Sequence, residues 1–165
     1  MKLLNKILVI FFTLLFSTNL AISGEKWDMA LAYGAGNFHS ANATAFAKSV
    51  TEKSGGKLTI VTHPGGSLYK GGEIFRAVRT GQAQIGERFM SALGKEDPLL
   101  EVDSQPFLAT SYNDAMKLYK ASKPEIVKGL DAKGLIFLYA VPWPAQGLYS
   151  KKEINSVEDL KGLKF

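Results

Sequence analysis

The segment from Val141 to Tyr149, with the sequence VPWPAQGLY, combines residue types that can hold a small polar molecule. Its two prolines stiffen the backbone, because the proline ring fixes φ. Trp143 and Tyr149 offer apolar faces with polar tips, and the Gln146 amide can both donate and accept hydrogen bonds. The alternative is a core tryptophan in an ordinary crossover turn. The segment is therefore a candidate ligand-contacting loop.

A second group of candidates lies near predicted strand and helix ends. Arg88 follows a predicted strand, where a guanidinium group can hold a carboxylate through two parallel hydrogen bonds. The alternative is a solvated surface arginine, or one paired with Glu87. His39 is a candidate ligand contact, whereas His63 is expected in a turn. The remaining candidates flank these residues in the same predicted loops: Asn37, Phe38 and Phe89.

Several kinds of chemistry are excluded or disfavoured by the sequence. There is no cysteine, which rules out disulfides, thiolate metal sites and cysteine nucleophiles. Gly34-Ala35-Gly36 lacks the third glycine of a dinucleotide-binding motif, and the two histidines have no partner at a metal-ligand spacing. No Ser/His/Asp set has a recognisable spacing. The sequence therefore shows no recognisable catalytic, metal or cofactor motif.

The charge balance points to the class of partner. The net charge is +5 over the whole chain, and two of the 20 basic residues, Lys2 and Lys6, lie at its extreme N-terminus. The other charges are dispersed, and no basic run is interleaved with aromatic residues, so nucleic acid is not an expected partner. A modest positive balance suits an anionic ligand, and the family resemblance described below implies that this is a small organic anion.

The first 23 residues have the layout of a secretory signal peptide. Lys2 and Lys6 precede an apolar run at 7–16. The small residues Ala21 and Ser23 stand at the minus-three and minus-one positions of a predicted cleavage after Ser23. The run is shorter than the roughly 20 apolar residues of a membrane span. An uncleaved anchor is the alternative. We expect a cleaved, periplasmic protein that begins near Gly24.

Strand and helix patterns alternate along the rest of the chain. We predict strands over 27–32, 57–62, 83–87 and 135–140, and helices over 40–53, 72–80, 111–122 and 124–133. This order predicts an α/β fold with a mainly parallel sheet and flanking helices. Ligands on such sheets bind outside the carboxyl ends of the strands, which selects the loops 33–39, 63–69, 88–93 and 141–149. The segment 106–108 is expected to pack in the core.

Five short motifs follow one another along the chain: SGGKL at 54–58, PGGSL at 64–68, FRAVRTG at 75–81, PFL at 106–108 and SVEDLKGLKF at 156–165. In this order they resemble the DctP-type substrate-binding subunits of tripartite ATP-independent periplasmic (TRAP) transporters. Each motif by itself is common, whereas the ordered set is specific. The resemblance covers essentially the whole chain after residue 23.

The resemblance implies a periplasmic-binding-protein type II fold, with two α/β lobes around a hinge. Residues 24–147 would form the first lobe, and 148–165 the hinge and the start of the second. A strand that begins at Leu163 and has no successor predicts that the sequence is a truncated N-terminal half. The family relationship further implies capture of a carboxylate-bearing solute without catalysis, and delivery to TRAP membrane permease subunits.

Two departures from the family pattern bear on the ligand. The main carboxylate-binding arginine of the family directly follows the motif that ends at Phe165, so it is absent from this sequence. A second arginine of many members is replaced here by Tyr149. A monocarboxylic, aromatic or keto acid is therefore expected rather than a dicarboxylate. This fragment alone should bind little or no ligand.

Two other functions remain open from the sequence. One is the related binding domain of a sensor or of an ATP-driven (ABC) importer, against which the motif at 159–165 argues. The other is an exported enzyme on the same fold. An enzyme would need an acid/base pair in the cleft, and the sequence offers only isolated candidates.

Overall fold

The computed structural model describes residues 24–145 and 147–164. Three strands form a parallel sheet in the order β2-β1-β3: β1 (Glu25–Leu31), β2 (Leu58–His63) and β3 (Ile85–Glu87). The helices are α1 (Phe38–Lys53), α2 (Ile74–Arg79) and α3 (Tyr112–Asp131), with short 3-10 helices at Met90–Leu93, Pro98–Ser104 and Glu158–Leu160. The chain divides between Arg88 and Phe89 into two compact units.

The core of the first unit lies between the sheet and α1. Met29 and Leu31 alternate along β1 and so point to the same face of the sheet, where both are buried. Ala43 and Ala47 lie one turn apart on α1 and are buried against them. The predicted first two strands and first helix are thus confirmed within one or two residues at most ends.

The opposite face of the sheet is covered by α2. Gly86 in β3 makes this packing possible, because a Cβ at that position would lie 2.5 Å from Ile74 Cγ2 and 2.9 Å from Val78 Cγ2. Its neighbour Ile85 belongs to the core on the α1 side, as the alternation along a strand requires. Helices on both faces of a parallel sheet confirm the predicted α/β class.

Helix α3 in the second unit begins at the predicted cap. The Ser111 hydroxyl accepts a hydrogen bond from the Asp114 backbone N–H at 3.2 Å and donates to the Asp114 carboxylate at 2.7 Å. The prediction of two helices separated near Pro124 is wrong, since α3 is continuous through that residue. Proline removes only one backbone hydrogen bond, and the apolar face that includes the buried Ile126 continues across it.

Two apolar segments of the second unit differ from the prediction. Residues 135–140 form no strand with any described part of the chain, and Ile136 is 84% exposed, so the predicted buried strand is wrong. Phe107 is 93% exposed rather than packed in the core. An apolar run favours extension and burial, but a strand also needs a neighbouring backbone. Leu163 and Lys164 form no strand either.

The predicted signal peptide at 1–23 lies outside the described residues. Within the described ranges, none of the helices has the length and apolarity needed to cross a membrane.

Candidate ligand-binding site

The loops after β1 and β2 are joined at the carboxyl edge of the sheet. The Gly65 N–H donates to the Tyr33 carbonyl at 2.7 Å, and the Gly66 N–H donates to the Leu31 carbonyl at 2.9 Å. Both glycines have positive φ, near +69° and +66°, which allows the tight turn that directs their N–H groups toward β1. These bonds fix the backbone around Tyr33, at the edge where parallel sheets bind their ligands.

The N-terminus of α1 brings three of the predicted residues to this edge. The Asn37 side chain accepts a hydrogen bond from the His39 N–H at 2.9 Å, so it caps the helix. The Ser40 hydroxyl donates to the Tyr33 carbonyl at 2.7 Å, which ties the helix start to the end of β1. Phe38 is 45% exposed, and its ring centroid lies 4.1 Å from that of His39.

His39 is a buried, uncharged member of this cluster. Only 4% of the residue is exposed, and its ring lies 5.8 Å from the Tyr33 ring between centroids. Burial lowers the pKa of the imidazole, because the charged form is disfavoured away from water. A neutral imidazole has one donor nitrogen and one acceptor nitrogen, but adds no positive charge to the site.

Glu87 and Tyr33 were not among the predicted site residues, although Tyr33 lies in the selected loop 33–39 and Glu87 was considered as a partner for Arg88. Glu87 ends β3 and is in register with Leu31, so its side chain lies beside the end of the central strand. Burial raises the pKa of the Glu87 carboxyl, while a hydrogen bond from the Ala32 N–H and the Arg88 charge oppose the rise. Burial also raises the pKa of the Tyr33 hydroxyl, and the Glu87 carboxylate adds to that effect.

Arg88 folds back toward the sheet edge. A Cβ on Gly71 would lie 3.2 Å from Arg88 Nη1, so the glycine leaves room for the guanidinium group. Arg88 is half-buried, and no ion pair joins it to Glu87 in the ranges that the structure describes. Arg88 Nε and Glu87 Oε2 are buried and form no hydrogen bond with any described residue.

His63 has a structural role. It is the last residue of β2 rather than a turn residue, and its Nε2 lies 2.7 Å from the Asp28 carboxylate on the neighbouring strand. Within the described ranges, no group of three or more His, Asp or Glu side chains is placed to hold a metal ion.

The other predicted residues belong to the second unit. Phe89 and Trp143 form an edge-to-face aromatic pair, with 6.1 Å between ring centroids and 81° between planes. Such a pair presents an apolar wall with one indole N–H. Tyr149 is 92% exposed, and Gln146 lies outside the described residues. The predicted residues thus fall in two units, with Asn37, Phe38, His39 and Arg88 in the first and Phe89 and Trp143 in the second.

The model of the family "Bacterial extracellular solute-binding protein, family 7" (DctP) matches residues 31–165. The chain belongs to this family. Among curated proteins, it is 31% identical over 133 residues to a "Solute-binding protein" of Albidiferax ferrireducens, a match that covers 78% of this chain and 38% of that protein. The predicted family resemblance is therefore confirmed.

Two solved structures show the same fold. A marine metagenome TRAP solute-binding protein specific for pyroglutamate, in complex with co-purified pyroglutamate, is 56% identical with a TM-score of 0.82, over 86% of this chain and 47% of that one. The Bordetella pertussis receptor DctP6, which binds pyroglutamic acid, is 49% identical with a TM-score of 0.81, over 84% and 46%. The chain thus spans less than half the length of these relatives.

Proposed function

We propose that the complete protein is the extracytoplasmic solute receptor of a TRAP transporter, and that it captures a small monocarboxylate, with pyroglutamate as the first ligand to test. The observation that carries this proposal is the 56% identity, over 86% of the chain, to a receptor that holds co-purified pyroglutamate. Members of the family are solute-binding proteins, and on this proposal the protein has no catalytic role.

The first unit supplies groups of the right chemistry for such a ligand. Arg88 provides a positive charge at this edge, and its buried Nε can still donate a hydrogen bond to a carboxylate. The neutral His39 and the Tyr33 hydroxyl add hydrogen-bonding groups without a second cation. The preference for one carboxylate on the ligand rests on the two receptors of known structure described above, which bind pyroglutamate.

The rest of the proposal concerns the architecture and route of the complete protein. Residues 1–23 act as a signal peptide that is cleaved on export to the periplasm. Residues 24–147 belong to the first lobe, and 148–165 form the hinge and the start of a second lobe. Closure of the two lobes would bury the ligand, and the closed receptor would dock on the permease subunits.

Calorimetric titration tests the proposal on the protein expressed from its complete gene. The ligands are pyroglutamate, lactate, pyruvate, succinate and galacturonate. We expect pyroglutamate to bind at least about tenfold more tightly than succinate, and to be recovered unchanged. Binding of none of these acids, or conversion of a bound acid, would overturn the proposal.

A matched pair of arginine variants tests the role of Arg88. We expect Arg88→Gln to weaken pyroglutamate binding by about tenfold or more, since a charge-assisted hydrogen bond is lost. Arg76→Gln, at an exposed position on α2, should leave the affinity unchanged. Equal affinities for the two variants would remove Arg88 from the site.

A further inference from the structure

Glu87 is an acidic group at an edge that is proposed to bind an anion. Its carboxylate already accepts one hydrogen bond, from the Ala32 N–H, while Oε2 is buried and accepts none from the described residues. A buried acceptor without a donor is costly to the fold, because it has lost its hydrogen bonds to water. Such a group in a native protein calls for a specific explanation, and function is a common one.

We infer that Glu87 accepts a hydrogen bond from an N–H group of the ligand, and thereby selects carboxylates that carry such a group close to the carboxylate. This inference rests on the proposed function and names the feature of the ligand that the site recognises. Arg88, the next residue, would attract the carboxylate, while Glu87 receives the N–H. An acidic and a basic residue side by side at the strand end match a ligand with an acceptor and a donor.

The surroundings of Glu87 prepare it for this role. The bond from the Ala32 N–H holds one carboxyl oxygen against the end of β1, which leaves the other to receive a ligand donor. Glu87 as a whole is half-buried rather than sealed. Residues 34–36, in the loop that follows β1, are exposed.

The same carboxylate also rejects the wrong ligands. A second ligand carboxylate placed there would face a like charge, which is unfavourable in a poorly hydrated site. A ring ester oxygen in place of the N–H would bring two acceptors together with no hydrogen between them. Recognition of a lactam over a lactone or a dicarboxylate therefore follows from one residue.

Three ligands separate these interactions in the protein expressed from its complete gene. Pyroglutamate has a ring N–H, 5-oxotetrahydrofuran-2-carboxylate has a ring oxygen instead, and glutarate has a second carboxylate. By calorimetry, we expect the wild-type protein to bind the lactam at least about 30-fold more tightly than the lactone, because a site built for an N–H rejects the analogue that lacks it.

Glu87→Gln is the informative variant, because its amide can accept from the lactam or donate to the lactone. We expect the lactam-to-lactone ratio to fall below about fivefold, and glutarate to gain affinity relative to pyroglutamate. Glu52→Gln is the matched control, since Glu52 is exposed on α1 of the same unit. It should keep the wild-type ratio.

The outcomes distinguish the two proposals. If the wild-type protein binds lactam and lactone equally, the role of Glu87 is refuted while the receptor function stands. The same holds if Glu87→Gln weakens all three ligands by one factor and preserves their ratio, as a merely structural residue would. If the wild-type protein binds none of the tested acids, the proposed function fails and the inference fails with it. The wild-type ratio requires no variant, so a misfolded Glu87→Gln protein leaves the test intact.

Discussion

The two units of the chain differ in how far they bury their apolar side chains. In the first unit, Leu31 is completely buried between a parallel sheet and a helix. In the second unit, Ile136 is 84% exposed and Phe107 is 93% exposed, and its described residues contain helices but no strand. A βα pattern that is complete in the local sequence closes its own core. An apolar segment that has no backbone partner nearby in the chain does not form a buried strand in this way.

The largest expected effect is the difference between one core and one surface truncation. Leu31→Ala should lower the free energy of unfolding by about 2–5 kcal/mol, because it removes buried methyl groups and leaves a cavity. Ile136→Ala should change it by less than about 0.5 kcal/mol, since exposed side chains contribute little. Urea denaturation of both variants measures the difference. Comparable losses in the free energy of unfolding for the two variants would show that residues 135–140 are buried in the folded protein.

A glycine in the first unit provides the next test. Gly86→Ala should cost about 1–3 kcal/mol, because the added Cβ would collide with Ile74 and Val78 of α2. Gly72→Ala is the control, as no atom lies within 4 Å of a Cβ at that position. If both variants are as stable as the wild type, α2 is not packed closely on β3.

The helix cap of the second unit should have a smaller effect. Ser111→Ala removes the oxygen that accepts from the Asp114 N–H, and should cost about 1 kcal/mol. Ser111→Thr retains a hydroxyl and should restore most of the loss. Thermal unfolding followed by circular dichroism at 222 nm is a suitable measurement. An unchanged melting temperature for Ser111→Ala would indicate that α3 starts elsewhere.

The smallest effects are opposite pH dependences in the two units. The raised pKa of Glu87 means that its contribution to stability is present below the ordinary value of 4.5 and is lost as the pH rises through the folded pKa. Glu87→Gln mimics the protonated form. The melting temperature of this variant, relative to that of the wild type, should therefore increase as the pH rises toward neutral. A constant difference across this range would contradict the raised pKa.

Asp159 in the second unit should show the reverse. Hydrogen bonds from the Asn155 N–H and from Ser156 lower the pKa of its carboxyl group, so its contribution is present above the ordinary value of 3.8 and is lost as the pH falls. Asp159→Asn should therefore lose stability at neutral pH and match the wild type in acid. Melting curves across this range, run beside those of Glu87→Gln, check the sign.

Local periodicity was sufficient to predict most of the first unit. The pattern at 40–53 predicted α1, which runs over Phe38–Lys53, because helical spacing and a glycine stop are local signals. The prediction of a strand at 135–140 was wrong because an apolar run carries no information about whether another backbone pairs with it. Pro124 was misread for a related reason, since a helix held by its packed face tolerates one missing hydrogen bond.

The candidate site was predictable in part. The rule that ligands bind at the carboxyl ends of parallel strands selected His39 and Arg88, which the fold does place at that edge. Glu87 was considered only as a partner for Arg88. Its importance depends on its register with Leu31, on its burial and on an oxygen without a donor among the described residues, and these are tertiary properties.

The most direct test of the ligand's location is hydrogen–deuterium exchange of the complete protein with and without pyroglutamate. We expect the ligand to slow exchange at residues 32–39 and 87–89, where the loops after β1 and β3 meet the proposed site, and to leave the 3-10 helix at Pro98–Ser104 unchanged. Saturating ligand that leaves both segments unprotected would contradict a binding site at this edge of the sheet.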